Sequence, residues 1–148
     1  MPGDPHDLER FVRAQDGVYE HVLAEISSGR KRSHWMWFVF PQFAGLGMSP
    51  TSQHFAIRSL AEARAYLTHP ILAARLHQCA EALLSIGGRT AHEIFGSPDD
   101  VKLRSSATLF AAVSSTGSVF HRLLDRYFDG AADERTLRLI VSLARQGS

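Results

Sequence analysis

Residues Asp7–Ser28, DLERFVRAQDGVYEHVLAEISS, decide the fold class. At about 100° per residue, with Leu8 at zero, Phe11, Val12, Tyr19, Val22, Leu23 and Ile26 fall within about 60° of it, and Val18 within about 80°. Such spacing gathers the apolar side chains on one side of a helix, whereas the two-residue repeat of a strand would scatter them over both faces. One amphipathic helix is predicted over this stretch. Asp16-Gly17 interrupts it at a cost of about 1 kcal/mol and marks a bend, and Gly29 suits the left-handed position beyond the last turn.

Further along the chain the helix signals repeat. Ser59 followed by Glu62 reads as a capping box opening a helix through Leu67. Pro70 fits the first turn of the next helix, which carries Leu72, Leu76, Cys79, Leu83 and Ile86 on one side and stops at Gly87-Gly88. A short helical turn is expected from Ala91 to Phe95. Ser97-Pro98-Asp99-Asp100 combines a serine cap, a proline at the first position and acids facing the positive helix end, opening a helix to about Ser114. Segments Val119–Tyr127 and Glu134–Ala144, the latter capped by Asp133, complete about seven helices. No strand hairpin, repeat or linker is evident, so the expectation is one all-α domain over residues 1–148, ordered over roughly 7–145, as an orthogonal or irregular bundle.

Composition agrees with a packed core and narrows the class. The chain has 148 residues, 45% hydrophobic and 21% charged, with a formal charge of +1, far from the basic excess of a non-specific nucleic-acid binder. Nucleic acid is therefore an unfavoured partner. A single cysteine, Cys79, allows no intrachain disulfide and suits a reducing compartment. The opening MPGDPHDLER lacks the pattern of a signal peptide, and the longest apolar run, Trp35 to Phe40, falls far short of the ~18 residues of a membrane span. A cytoplasmic protein without membrane contact is expected; the oligomeric state is left open.

The densest mixture of charge and aromatic mass is Arg30–Gln42, RKRSHWMWFVFPQ. No acidic residue lies between Glu25 and Glu62, so this region is locally positive. Ser33 caps a short buried helix over Trp35 to Phe40, Pro41 holds Phe40 extended, and Gln42 to Thr51 follows as a loop. Arg30 and Arg32 suit an anion, Ser33 adds a donor, and Trp35 or Trp37 offers a stacking face. His34, beside these cations, is the candidate catalytic base if there is chemistry. In the bland reading the cations compensate the end of the first helix, the tryptophans are core and His34 is structural. On the helix from Pro98, Lys102, Ser105 and Ser106 form a polar entry to an apolar face, fit for an anionic ligand; alternatively, Lys102 snorkels and the serines bond back to the helix.

Other chemistry lacks its motifs. There is no phosphate-binding glycine loop and no nucleophile elbow, while Cys79 lies on an apolar helix side. His6, His21, His54, His69, His77, His92 and His121 lack metal-ligand spacing, so neither metal nor cofactor is implied.

Four ordered words, S-H-W-M-W-F-V-F-P-Q (Ser33–Gln42), A-G-L-G-x-S-P-T (Ala44–Thr51), A-R-A-Y-L-x-H-P (Ala63–Pro70) and D-D-V-K-L-R-S-S-x-T-L-F (Asp99–Phe110), carry a resemblance from about Leu8 to Ala144. The chain resembles an uncharacterised family of small all-α proteins, sometimes labelled calpastatin-like. The resemblance implies one helical domain with no established activity and no catalytic residue to carry over. A calpain-inhibitor repeat would be largely disordered, whereas this composition predicts a folded core. The leading functional expectation is binding or processing of a phosphate-containing metabolite, such as a nucleotide or ADP-ribose derivative, in a basic, Trp-lined pocket; the alternative is a non-catalytic protein-interaction module.

Overall fold

Gly17 takes a φ of +86°, and the expected first helix is divided there into α1 (Glu9–Gln15) and α2 (Tyr19–Ser27). The backbone cannot continue a right-handed helix through that conformation, so the common apolar stripe is carried by two short helices at an angle. The computed structural model describes residues 3–146. Eight more helices follow: α3 (Met36–Val39), α4 (Pro50–His54), α5 (Leu60–Thr68), α6 (Pro70–Leu84), α7 (Ala91–Phe95), α8 (Asp99–Ala111), α9 (Val119–Phe128) and α10 (Glu134–Gln146). The architecture is all-α, in one irregular bundle, but with ten helices among the described residues rather than about seven.

The surplus has local causes. Among the described residues, the split at Gly17 adds one helix, α4 adds another inside the predicted loop, where Ser49 caps the Ser52 N–H and Pro50 takes the first position, and the turn expected at Ala91–Phe95 stands as α7. Other helix starts follow the sequence more closely. Ser59 accepts from the Glu62 N–H, but the Glu62 carboxylate turns instead to the Arg58 N–H and to Arg10, so only half of the expected box forms. A full box is found at Thr90 and Glu93 of α7. Pro98 stands one position earlier than expected, as the N-cap of α8, and no side chain caps that end.

The middle of the bundle is α8, in which Leu103 and every residue from Ser105 to Phe110 are buried. It packs on α9, α7, α10 and α5, while α6 packs on α9, α2 and α5. An aromatic line crosses the core from Phe11 through Tyr66 and Phe110 to Phe120, with centroid spacings of 5.1, 5.3 and 5.4 Å. Contacts of this geometry add about 0.5–1.5 kcal/mol each beyond burial. Arg10 and Glu62 form a buried ion pair at 2.7 Å, with the rest of the guanidinium on the carbonyls of His6, Asp7, His54 and Ala56. That network ties the chain start to the Phe55–Ser59 segment.

Between α3 and α5 the chain makes a loop closed by an isolated parallel bridge, Phe43 to Ile57. Ala44 N–H donates to Ile57 O and Ile57 N–H to Gln42 O, both at 2.9 Å. No strand forms among the described residues, and no helix among them is long and apolar enough to cross a membrane.

Candidate functional site

The basic segment after α2 is organised by a carboxylate of the same chain. Glu25, in the last turns of α2, accepts from the Arg32 N–H at 2.8 Å, the Ser33 N–H at 3.0 Å, the Trp35 indole N–H at 2.8 Å and the Ser33 hydroxyl. Burial alone would raise its pKa, yet these four donors outweigh it and hold the carboxyl down at about 2. Ser33 and Trp35 thus spend on Glu25 the donors that the sequence offered to a ligand. Trp35 is also sealed inside, at 2% exposure. Arg30, Arg32 and His34 lie exposed on the surface.

Lys31, not its arginine neighbours, points into the protein. Its ammonium bonds Asp99 Oδ2 at 2.8 Å, donates to the Ser33 carbonyl and stands 5.0 Å from the Trp35 ring. Lys102 approaches the other oxygen of Asp99 at 3.4 Å and stands 4.6 Å from the Trp37 ring. Asp99 therefore joins the two distant stretches, in the order Trp35, Lys31, Asp99, Lys102, Trp37. Cation and ring attract each other here through the ring quadrupole.

Trp37 differs from Trp35. It is half-buried, and its Nε1 is buried without any hydrogen-bond partner among the described residues. The same holds for the hydroxyl of Ser106, one turn beyond Lys102 on α8. Ser105, by contrast, donates back to Val101 O at 3.1 Å, as a helical serine commonly does. An unpaired buried donor costs about 1–3 kcal/mol and is uncommon in native proteins.

Trp37 lines a cavity of about 230 Å³ with Gln42, Phe43, Ser52, Gln53, Phe55 and Arg58. A second cavity of about 180 Å³ adjoins it, lined by Pro98, Val101, Lys102, Ser105, Asp133 and Arg135. Gln42, Gly47 and Ser52 line both. Their common wall is tight at Gly47, where a Cβ would come within 2.6 Å of Ser52. Leu139 of α10 packs over Gly45, whose φ is +101°, and so holds this wall from outside. Of the residues singled out from sequence, Trp37, Lys102 and Ser105 line these two cavities; Arg30, Arg32, Ser33, His34, Trp35 and Ser106 do not.

Sequence reasoning missed Asp99 as a tie, Lys31, Gln42, Ser52, Arg58 and Arg135. Arg58 had a signal, since it lies in the acid-free interval, and Asp99 was read only as a helix-start acid. No group of His, Cys, Asp and Glu suited to a metal ion is present among the described residues.

Residues 5–140 match the model of a family described as "Protein of unknown function (DUF1810)". The chain belongs to this family. A solved structure with the same fold is that of the conserved hypothetical protein Rv1873 from Mycobacterium tuberculosis. It is 51% identical over 93% of this chain and 99% of that one, with a TM-score of 0.91. Among curated proteins nothing matches the chain. For this DUF1810 protein, then, kinship supplies the fold, and the description of the family assigns no activity; function must be argued from Trp37, Asp99, Lys102 and the two cavities.

Proposed function

We propose that this protein binds a small phosphate-bearing metabolite, a nucleotide or ADP-ribose-like compound, in the two adjoining cavities beside Trp37 and Lys102. The observation that carries this reading is the half-buried Trp37 ring in the wall of a cavity, with the Lys102 ammonium 4.6 Å from that ring. An aromatic face beside a cation suits a ligand that carries both a ring and an anion. Lys102, Arg58 and Arg135 supply positive charge around the hollow, and a phosphate can take the place of their water. Relative to the expectation from sequence, Lys102 is kept, and Arg58 and Arg135 take the place of Arg30 and Arg32. A calpastatin-like role forms no part of this proposal, because inhibitor repeats of that kind lack a packed core.

A thermal-shift screen against nucleotides, dinucleotides and sugar phosphates tests the reading. Stabilisation should grow with concentration by mass action, reaching about 2.7 kcal/mol at a hundredfold excess over Kd. It should weaken in Lys102→Ala and Arg58→Ala and persist in Arg32→Ala. No concentration-dependent shift with any phosphate compound would end it.

A protein-interaction module is the second reading, favoured by Leu137 and Val141, exposed at 42% and 50% one turn apart on α10. Sedimentation and pull-down experiments in which Leu137→Glu abolishes an otherwise saturable association would support it, provided that phosphate compounds fail to bind.

A further inference from the structure

We infer that the two cavities act as one bipartite site for a nucleoside phosphate, with the base ring in the larger lobe against Trp37 and the phosphate in the smaller lobe on Lys102 and Arg135; this rests on the phosphate-metabolite reading above. The two lobes share a wall of Gln42, Gly47 and Ser52, so one molecule can reach both. Their chemistry differs in the sense that such a ligand requires.

The larger lobe is aromatic and neutral at its centre. Trp37, Phe43 and Phe55 offer ring faces, and the amides of Gln42 and Gln53 can donate to or accept from the edge of a heterocycle. Arg58 lies exposed at this lobe, and its guanidinium donates to Gln53 O at 3.3 Å.

The smaller lobe is cationic. Lys102 shares Asp99 with Lys31, but at 3.4 Å against 2.8 Å, so its ammonium keeps donors for a second acceptor. Arg135 and the hydroxyl of Ser52 complete the donor set, the Ser105 hydroxyl proton being held by Val101 O. One carboxylate lines the lobe, Asp133, and its Oδ2 is taken by the Thr136 N–H at 2.9 Å and hydroxyl at 2.6 Å. Pro98 and Asp133 stand at the starts of α8 and α10, whose positive ends are already met by Asp99, Asp100 and Asp133, so the free donors of the lobe are those of Lys102, Arg135 and Ser52. A terminal phosphate suits the two cations together.

The two tryptophans allow a direct test. In an ¹H–¹⁵N spectrum, Trp35→Phe assigns the two indole signals, and wild-type protein is then titrated with adenosine monophosphate, adenosine and inorganic pyrophosphate. Adenosine monophosphate and adenosine should move the Trp37 indole signal, and pyrophosphate should move it less, because pyrophosphate acts on that ring only through the Lys102 ammonium 4.6 Å away, while the Trp35 signal, held by Glu25, stays put. Lys102→Gln and Arg135→Gln should each weaken the nucleotide about tenfold, and the nucleoside much less, because only the charge-assisted bonds to phosphate are lost. Trp37→Leu, which removes the ring from the cavity wall, should weaken both compounds; a circular-dichroism melt of each variant verifies folding. Nucleotide binding that leaves the Trp37 signal unmoved, or that is unaffected in both charge variants, overturns the bipartite site while leaving phosphate binding standing. Failure of every phosphate compound to bind overturns both.

Discussion

Glu25 shows how far one side chain can redirect a reading of sequence. Its carboxylate fills the donor nest of Arg32, Ser33 and Trp35, a place where a ligand anion was expected. Because its folded pKa of about 2 lies below the ordinary 4.5, the stability it contributes is complete above about pH 4.5 and fades as the pH falls towards 2. Glu25→Ala should lower stability by about 1–2 kcal/mol near neutral pH, chiefly through the stranded indole of Trp35, since the carboxylate itself is partly screened by solvent. Urea midpoints measured from neutral pH down to about 2 should draw closer for wild type and variant as the carboxylate is protonated, while the part due to the stranded indole remains. The buried pair of Arg10 and Glu62 is a different case. Arg10→Ala leaves a carboxylate under the loop with no cation and should cost about 3–5 kcal/mol in equilibrium unfolding. Neither partnership was legible along the chain, because Glu25 meets residues seven to ten positions away and Arg10 meets Glu62 across 52.

Among the elements, length did not decide legibility: the one-turn α7 keeps its expected bounds Ala91–Phe95, whereas α4 was missed and the 13-residue α8 starts without the expected serine cap. The starts of α5, α6 and α10 follow from Ser59, Pro70 and Asp133, while the Ser118 cap of α9 is seen only in the structure. The apolar pattern from Leu8 to Ile26 is continuous, yet the backbone breaks at Gly17, since a stripe records which face is buried and not whether the axis bends. Gly17→Ala should not fuse the two helices. It should cost about 1 kcal/mol at a φ of +86°, seen as a lower melting temperature with unchanged helical circular dichroism. At Gly45 the penalty should be larger, about 1–3 kcal/mol, because a methyl group there also presses Leu139 of α10 at 3.2 Å. That variant should weaken any ligand held in the cavities whose wall α10 supports.

For the molecule as a whole, the central place of α8 couples the core to the cavities: its buried turns meet α9, α7, α10 and α5, and its first turns carry Asp99, Lys102 and Ser105. A bundle organised in this way should unfold in one step. Tryptophan fluorescence, which reports the buried Trp35, and far-ultraviolet circular dichroism should give coincident urea transitions. Separate midpoints would show that the loop and its cavities melt before the bundle. The formal charge of +1 predicts neither a strong field nor steep salt dependence, so any anion binding should come from the local set of Lys102, Arg58 and Arg135.

By itself the sequence determined the all-α class, most of the long helices and the apolar faces they bury, because periodicity, caps and glycines act within a few residues of where they are written. It also marked Trp37, Lys102 and Ser105 as residues to watch. Only the tertiary structure decided that Asp99 joins Lys31 to Lys102, that Glu25 occupies the basic segment, and that Trp35 is closed in while Trp37 faces a hollow. Those outcomes depend on which charged group arrives first at each set of donors, and that is settled by the packing of α2, α3 and α8 in space rather than by any neighbour along the chain.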